Sequence, residues 1–292
     1  MATYLITGAS RNLGFEFMRL VSKNPDNVVV GIVRNKAVAE DKVAKELPGR
    51  TNIHLLEADM TNYESLANTV PLVTKLVNGA LDYVIANAGL IPDWSEFKSF
   101  EKITNPRELM CTLNCRAKQP ALLEQDLDDC WKTNVVGNVH LLNLYVPLLK
   151  AGRVKKVAVI STGLADPGLT RDHNIYEAMP YSISKAAANM LIAKYSAAYA
   201  KDGLVFLAIC PGSVKNDRYQ DLSEEDMNGL SQMGDKFIEY APHFSGAKEA
   251  SESAVMILDV INQASLEAGY AGKFLSHHGG DKYFGEPPVA AA

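Results

Sequence analysis

No stretch of this sequence stays apolar for long enough to cross a bilayer; the best uninterrupted run, residues 204–210, has the length of a strand. The first residues lack the basic and long apolar segments of a secretory signal, and Thr3-Tyr4-Leu5-Ile6 runs straight into a glycine turn. Cysteine is scarce. The four present, Cys111, Cys115, Cys130 and Cys210, are not spaced as a disulfide framework, and no second Cys or His pair completes a zinc site with Cys111 and Cys115. Reduced thiols, no metal and a cytoplasmic location are therefore expected. A large excess of one charge sign is also missing. The 29 Lys+Arg and 34 Asp+Glu leave a net charge of -5, too mild to point to nucleic acid or an anionic membrane as partner. Low-complexity linkers and internal repeats are absent too, so 1–292 reads as a single domain.

What is present is a filled core with a regular rhythm. Hydrophobic residues make up 47% of the chain, enough for a sizeable interior. Strand-length apolar runs at 4–6, 28–33, 53–56, 81–86, 157–160, 205–209 and 272–275 alternate with helix-period segments. Leu13, Phe17, Leu20 and Val21 mark one helical face, and Leu66, Val70, Val73 and Val77 another. Two long helical stretches run at about 126–149 and 181–200, and a further helix lies near 249–261. This alternation predicts an α/β fold, a doubly wound, Rossmann-like parallel sheet of about seven strands with helices on both faces. Three stretches break the rhythm: 90–125, 163–180 and 214–245. Each follows a strand, and in open parallel sheets ligands bind beyond the carboxyl ends of strands. They are candidate lids or substrate walls, with plain surface insertion as the competing reading.

Between the first strand and first helix lies Thr7-Gly8-Ala9-Ser10-Arg11-Asn12-Leu13-Gly14. A turn of this kind brings backbone N–H groups and a helix N-terminus onto a pyrophosphate, and side chains beyond Cα would block that approach. Gly8 and Gly14 meet this need, with Ser10, Arg11 and Leu13 between them. Asn12 stands where a third glycine is expected, and Asn tolerates a left-handed backbone best among the other residues. An ordinary tight connection is the competing reading. Arg34 comes 20 residues after Gly14, at the end of the second strand, and no acid occurs from 28 to 39. An acid at that point binds the ribose 2′-OH of NAD, whereas an arginine pairs with the 2′-phosphate of NADP. Arg11 can add a second positive charge. NADP(H) is therefore the expected cofactor, against the simpler possibility that Arg34 is a solvated strand-end residue.

Tyr181 and Lys185 open a helical stretch four residues apart, on one face. A nearby cation favours the ionised form of a tyrosine, bringing its pKa toward the range useful in proton transfer. Alone, such a pair is commonly a surface feature. In this chain, however, Gly8, Asn12 and Gly14, then Asn87-Ala88-Gly89, Asn134, Ser161-Thr162, Tyr181 with Lys185, and Pro211-Gly212 occur in order. From residue 3 to about 275 the sequence resembles the short-chain dehydrogenase/reductase family. Arg34 and the ending Gly272-Lys273-Phe274-Leu275 are similar to its NADP-dependent carbonyl and ketone reductases.

The resemblance implies roles. Tyr181 would be the general acid in carbonyl reduction and the base in alcohol oxidation, with Lys185 holding the nicotinamide ribose and depressing the phenol pKa. A hydroxyl at Thr162, where the family usually has serine, would bond the substrate oxygen; Ser161 competes for that role, since neighbours on a strand face opposite ways. Asn134 would help relay protons through water, or else only cap a neighbouring backbone group. Asn87, Ala88 and Gly89 would lie along the adenosine ribose, Asp59 and Met60 near the adenine, and Pro211, Gly212 and Val214 at the nicotinamide end. Asn216 stands where the family often has a threonine on the cofactor, which puts that contact in doubt. The expected activity is hydride transfer between NADP(H) and a ketone, aldehyde or alcohol. Trp94, Phe97, Tyr176, Tyr219, Met227 and Phe237 suggest a small apolar or aromatic substrate. A non-catalytic dinucleotide sensor and a non-redox cyclase or dehydratase stay open as alternatives. The family also implies a homodimer or homotetramer through the two long helices, unless residues 90–125 cover that surface. His277-His278 reads as a polar loop, Glu224, Glu225, Asp226, Met227 and Met233 as a mobile cover, and 287–292 as a disordered tail.

Overall fold

A computed structural model describes residues 1–98, 119–219 and 222–284. Cys111, Cys115, much of the 90–125 stretch and the tail at 287–292 lie outside the described residues. Seven strands form one parallel sheet: β1 (Thr3–Thr7), β2 (Val28–Val33), β3 (Ile53–Glu57), β4 (Tyr83–Ala86), β5 (Lys156–Ile160), β6 (Val205–Cys210) and β7 (Phe274–Ser276). Their spatial order is β3-β2-β1-β4-β5-β6-β7. The chain winds outward one way from β1 to β3 and the other way from β4 to β7. A crevice for a ligand therefore opens at the carboxyl ends of β1 and β4. β6 is buried along its whole length and β2 along nearly all of it, which is why both read as unbroken apolar runs rather than alternating ones.

Helices cover both faces. On one, α1 (Asn12–Val21), α2 (Lys36–Glu46) and α10 (Ala250–Gln263) enclose a core that includes Phe15, Phe17, Met18, Ile257 and Ile261. On the other, α3 (Tyr63–Ala67), α4 (Val70–Leu76), α6 (Gly137–Ala151) and α8 (Met179–Tyr199) enclose Leu66, Val73, Leu141, Tyr145 and Ile192. Among the described residues no helix is long and apolar enough to cross a membrane.

Four local features depart from the periodicity. The pattern at 66–77 splits into α3 and α4, because Pro71 falls in the first turn of α4, where its missing N–H costs nothing but cannot continue a preceding helix. The stretch near 126–149 is α5 (Gln119–Cys130) and α6 joined by one turn of π-helix, Trp131–Val136. The segment at 163–180 contains a 3₁₀ turn, Gly163–Ala165, and α7 (Pro167–Asp172), with Asp166 accepting from the Leu169 N–H. The acid-rich part of 214–245 is α9 (Glu224–Tyr240). Ser223 caps it, and Glu224, Glu225 and Asp226 occupy the first turn, where negative charge suits the helix dipole. These acids start a helix; a third apolar cluster, with Phe97, Ile175, Met233, Phe237 and Phe284, fastens it over the strand ends.

The amino end of the sheet is tied by one side chain. Asp82 accepts from the backbone N–H groups of Thr3 (3.0 Å), Arg153 (2.9 Å) and Val154 (3.2 Å), joining the starts of β1, β4 and β5. Asp82→Ala leaves these three donors without their acceptor, so urea unfolding should show a loss of about 3–5 kcal/mol; a loss below about 1 kcal/mol would mean that water replaces the carboxylate freely.

Candidate active site

The glycine turn is held by backbone geometry that only its own residues allow. Gly8 has φ 67° and Asn12 φ 47°, so Asn12 takes the left-handed conformation expected of a glycine substitute. A Cβ on Gly14 would stand 2.1 Å from the Gly8 carbonyl oxygen; α1 can begin this close to β1 only without a side chain there. Asn87 donates from Nδ2 to the carbonyls of Thr7 (3.1 Å) and Gly8 (3.3 Å), and the Ala88 N–H donates to Thr7 Oγ1 (3.0 Å). Asn12 Nδ2 donates to Asn216 Oδ1 at 3.2 Å. Asn216, the departure from the family's usual threonine, thus fastens the loop after β6 to the turn after β1.

Around this turn, Arg11 and Arg34 are exposed, Ser10 is half-buried, and Leu13 and Met60 are buried within the two main cores. The side chains of Leu13 and Met60 are therefore packing residues, and only their backbones are left for a ligand. Asp59 is exposed; hydrogen bonds from Thr61 hold its carboxyl below the usual range, and the Arg34 charge adds to the effect.

Tyr181 and Lys185 lie in the first turns of α8, which begins after Ala178 in a left-handed conformation, φ 54°. Lys185 is buried, and its Nζ donates to the Ile160 carbonyl at the end of β5, at 2.7 Å. It stands 5.7 Å from the centre of the Tyr181 ring. Desolvation pushes the ammonium down to about 8. The phenol departs from expectation: desolvation, followed by the nearby Cys210, Tyr219 and Glu96, raises it above the ordinary tyrosine range. Lys185 does not depress it here, because burial outweighs a cation that is turned onto a backbone carbonyl.

Asn134 sits in the π turn, fully buried. Its Oδ1 accepts from the Leu90 N–H (2.9 Å), and its Nδ2 donates to the Leu90 carbonyl (2.9 Å) and to Ser184 Oγ (2.9 Å). A Cβ on Gly89 would lie 3.1 Å from Lys185 Nζ and 3.2 Å from Asn134 Oδ1, so a side chain there would crowd both groups. Ser161 is buried and donates to Asn189 Oδ1 at 2.6 Å. Thr162 is half-buried, and its hydroxyl accepts from the Leu164 N–H at 3.3 Å.

Beyond β6, the Pro211 carbonyl accepts from Ser253, Gly212 has φ 75°, and Val214 pairs with Lys248. Cys210 Sγ accepts from the N–H groups of Gly163 (3.0 Å) and Gly212 (3.4 Å). Burial pushes this thiol, like that of Cys130, up to about 12. His277 corrects the polar-loop reading: it is 2% exposed, and a Cβ on Gly212 would meet its ring at 2.6 Å. Burial drives its imidazole down to about 3.

The residues read as substrate walls divide. Phe97 and Phe237 belong to the third core, while Tyr176 and Met227 are exposed. An open depression of about 630 Å³ lies along the exposed side of α9, lined by Phe97, Tyr176, Glu224, Asn228 and Gln232 among others, and is more polar than the aromatic residues alone suggest. The sequence reading missed Glu96, Arg218 and Ser184. Ser184, inside the Tyr-Ser-Ile-Ser-Lys run, was within reach of a helical-wheel reading. Glu96 and Arg218 lie in irregular stretches without a spacing to mark them.

Comparison with known proteins agrees with this geometry. The family model described as short chain dehydrogenase matches residues 2–227. "Short chain dehydrogenase virK" of Hypocrea virens is 43% identical, over 97% of this chain and all of that protein. "Short-chain dehydrogenase/reductase iacC" of Pestalotiopsis fici is 40% identical with the same coverage. Among solved structures, the NADPH-bound carbonyl reductase from chicken fatty liver shares the fold with a TM-score of 0.69, at 21% identity, over 96% of this chain and 98% of that one.

Lys185 carries a stability cost whose sign can be tested. Its folded pKa of about 8 lies below its ordinary 10.5. The unfolded chain therefore holds the extra proton between those values, so stability rises with pH across that window and the full penalty applies below it. Ligand-free Lys185→Met should exceed the wild type near pH 7 by on the order of 2–3 kcal/mol, with the gap closing by about pH 10.5. Equal urea midpoints at both pH values would show that the ammonium is well solvated.

Proposed function

The chain belongs to the short-chain dehydrogenase family, and from that premise we propose that it is an NADP(H)-dependent oxidoreductase acting on a ketone or aldehyde, or on the corresponding alcohol, most simply as a carbonyl reductase. The observation that carries this reading is Lys185, a buried ammonium one helical turn from Tyr181 and bonded to the Ile160 carbonyl. A protein that only bound a dinucleotide would be free to lose the Tyr181–Lys185 pair, and this chain retains it.

The residues suit a dinucleotide. Gly8 and Gly14 keep side chains away from the start of α1, where backbone N–H groups take a pyrophosphate. Arg34 and Arg11, both exposed, would pair with a 2′-phosphate, although Asp59 shares the Arg34 charge. Asn87, Ala88 and Gly89 would hold the adenosine ribose, Asp59 and the Met60 backbone the adenine, and Pro211, Gly212 and Val214 the nicotinamide end. When bound, the nicotinamide supplies or takes up the hydride.

The chain's own residues manage the proton. Tyr181 would donate it to the carbonyl oxygen during reduction. Lys185, charged below about pH 8, would lower the phenol once its ammonium turns from Ile160 toward the site. Thr162 is the better candidate to bond the substrate oxygen, because its half-buried hydroxyl engages only as an acceptor here, whereas Ser161 donates to Asn189. Asn134 and Lys185, on either side of Gly89, would resupply the proton through water. Trp131, Ile183 and Met190, exposed on the two long helical stretches, support a homodimer or homotetramer. The single sheet carrying all of these groups supports one catalytic domain.

Tyr181→Phe should lower ketone reduction about 10²–10⁴-fold while leaving NADPH binding intact, read by absorbance at the nicotinamide band and by fluorescence titration. Retained turnover in that variant would point to a non-redox reaction. Arg34→Ala should weaken NADPH by about ten- to hundredfold and NADH hardly at all; a wild type that prefers NADH would overturn the phosphate assignment.

A further inference from the structure

Building on the oxidoreductase reading, we propose that Glu96 is a positioning residue: its carboxylate clasps together the segments that follow β4 and β6, and its backbone holds the entry to α8, so that it sets the mouth through which the carbonyl substrate reaches Tyr181.

One residue makes all three attachments. Glu96 Oε2 pairs with Arg218 Nη2 at 2.9 Å, and Oε1 accepts from the Tyr219 hydroxyl at 2.8 Å. The Glu96 carbonyl accepts from the Ala178 N–H at 2.7 Å, at the left-handed residue that starts the helix bearing Tyr181 and Lys185. Arg218 reaches further along the segment after β4, to the Ile91 carbonyl at 3.2 Å and to Asp93. The Tyr219 ring lies 5.9 Å from Phe97, which also lines the open depression along α9. These are the segments beyond the carboxyl ends of the strands, where a substrate must enter.

The chemistry requires a carboxylate. Its two oxygens accept from a guanidinium and a phenol together, whereas an amide at 96 has one acceptor and would turn its N–H groups toward a donor. The Glu96 side chain is only 6% exposed, and without its charge Arg218 keeps only Asp93, which lies out in solvent, as an ionic partner. The clasp also stands beside the proton donor: Tyr219 and Glu96 both push the Tyr181 phenol upward. Arg218 and Tyr219, the partners of the carboxylate, lie in a short 3₁₀ turn beyond β6. The clasp therefore arranges the site's walls rather than the sheet.

The test uses the full chain with Glu96→Gln, Arg218→Met and the double variant. Ketones graded in size from butanone to 1-tetralone are reduced with NADPH, NADPH affinity is titrated by fluorescence, and amide hydrogen exchange is followed at 93–97, 176–178 and 213–219. Glu96→Gln should raise KM for the ketones about tenfold with kcat changed less than about threefold, NADPH affinity within about twofold, and faster exchange in all three segments. The double variant should fall clearly short of the product of the two single effects, because both remove the same pair although each also breaks bonds of its own. Should Glu96→Gln fail to fold, Tyr219→Phe removes one hydrogen bond alone and should raise KM about threefold. Unchanged KM, single effects that multiply in the double, or exchange altered in one segment only would each overturn the clasp. If the wild type reduces no ketone while exchange still rises in all three segments, the activity reading fails and the clasp stands; unaltered exchange sinks the clasp whatever the turnover.

Discussion

A lysine ammonium taken out of water and held on the last carbonyl of a central strand is the constraint on which the rest of this protein turns. Lys185 reaches Ile160 from α8, which packs on β6 and on the 3₁₀ turn that follows β5. A Cβ at Gly89 would crowd the ammonium, at 3.1 Å, so that Lys185 would have to give way. Asn134 is brought up on the far side by a π turn, a local widening of a helix often found where a side chain must be aimed inward. Such a charge lowers the stability of the fold that holds it. The two cores on either face of the sheet compensate for that cost, and neither includes Tyr181 or Lys185. Stability and chemistry are thereby carried by different residues.

Much of this was legible in the residues themselves. The seven strands and the helices between them follow from apolar runs short enough for strands and from helical spacing, signals that survive because both faces of the sheet must be covered. The glycine turn was equally readable, down to the left-handed backbone of Asn12, since few residues tolerate that conformation. Spacing put Tyr181 and Lys185 on one helix face, but it was the order of motifs along the chain that singled them out, as it did Thr162, Ser161 and Asn134.

The parts that escaped have physical reasons. A helix broken at Thr69 and a helix widened at Trp131 both keep their apolar rows, so periodicity alone does not show them. The acids of α9 looked like a solvated cover because their role at a helix start depends on Ser223 and on burial of the opposite face. His277 looked polar but lies against Gly212, a contact made across sixty-five residues of sequence. The raised Tyr181 phenol reflects burial, which the spacing of the pair says nothing about. Glu96 was invisible for the same reason as most long-range ion pairs: its partners are more than a hundred positions away, in segments with no period.

The Asp82 knot lies at the amino edge of the sheet, and every group assigned to the chemistry lies at the opposite edge. The frame is thus anchored where nothing has to move. Evolution can exchange the loops and the cover helix at one pole, and with them the molecules accepted, without loosening the strands that the other pole keeps in line.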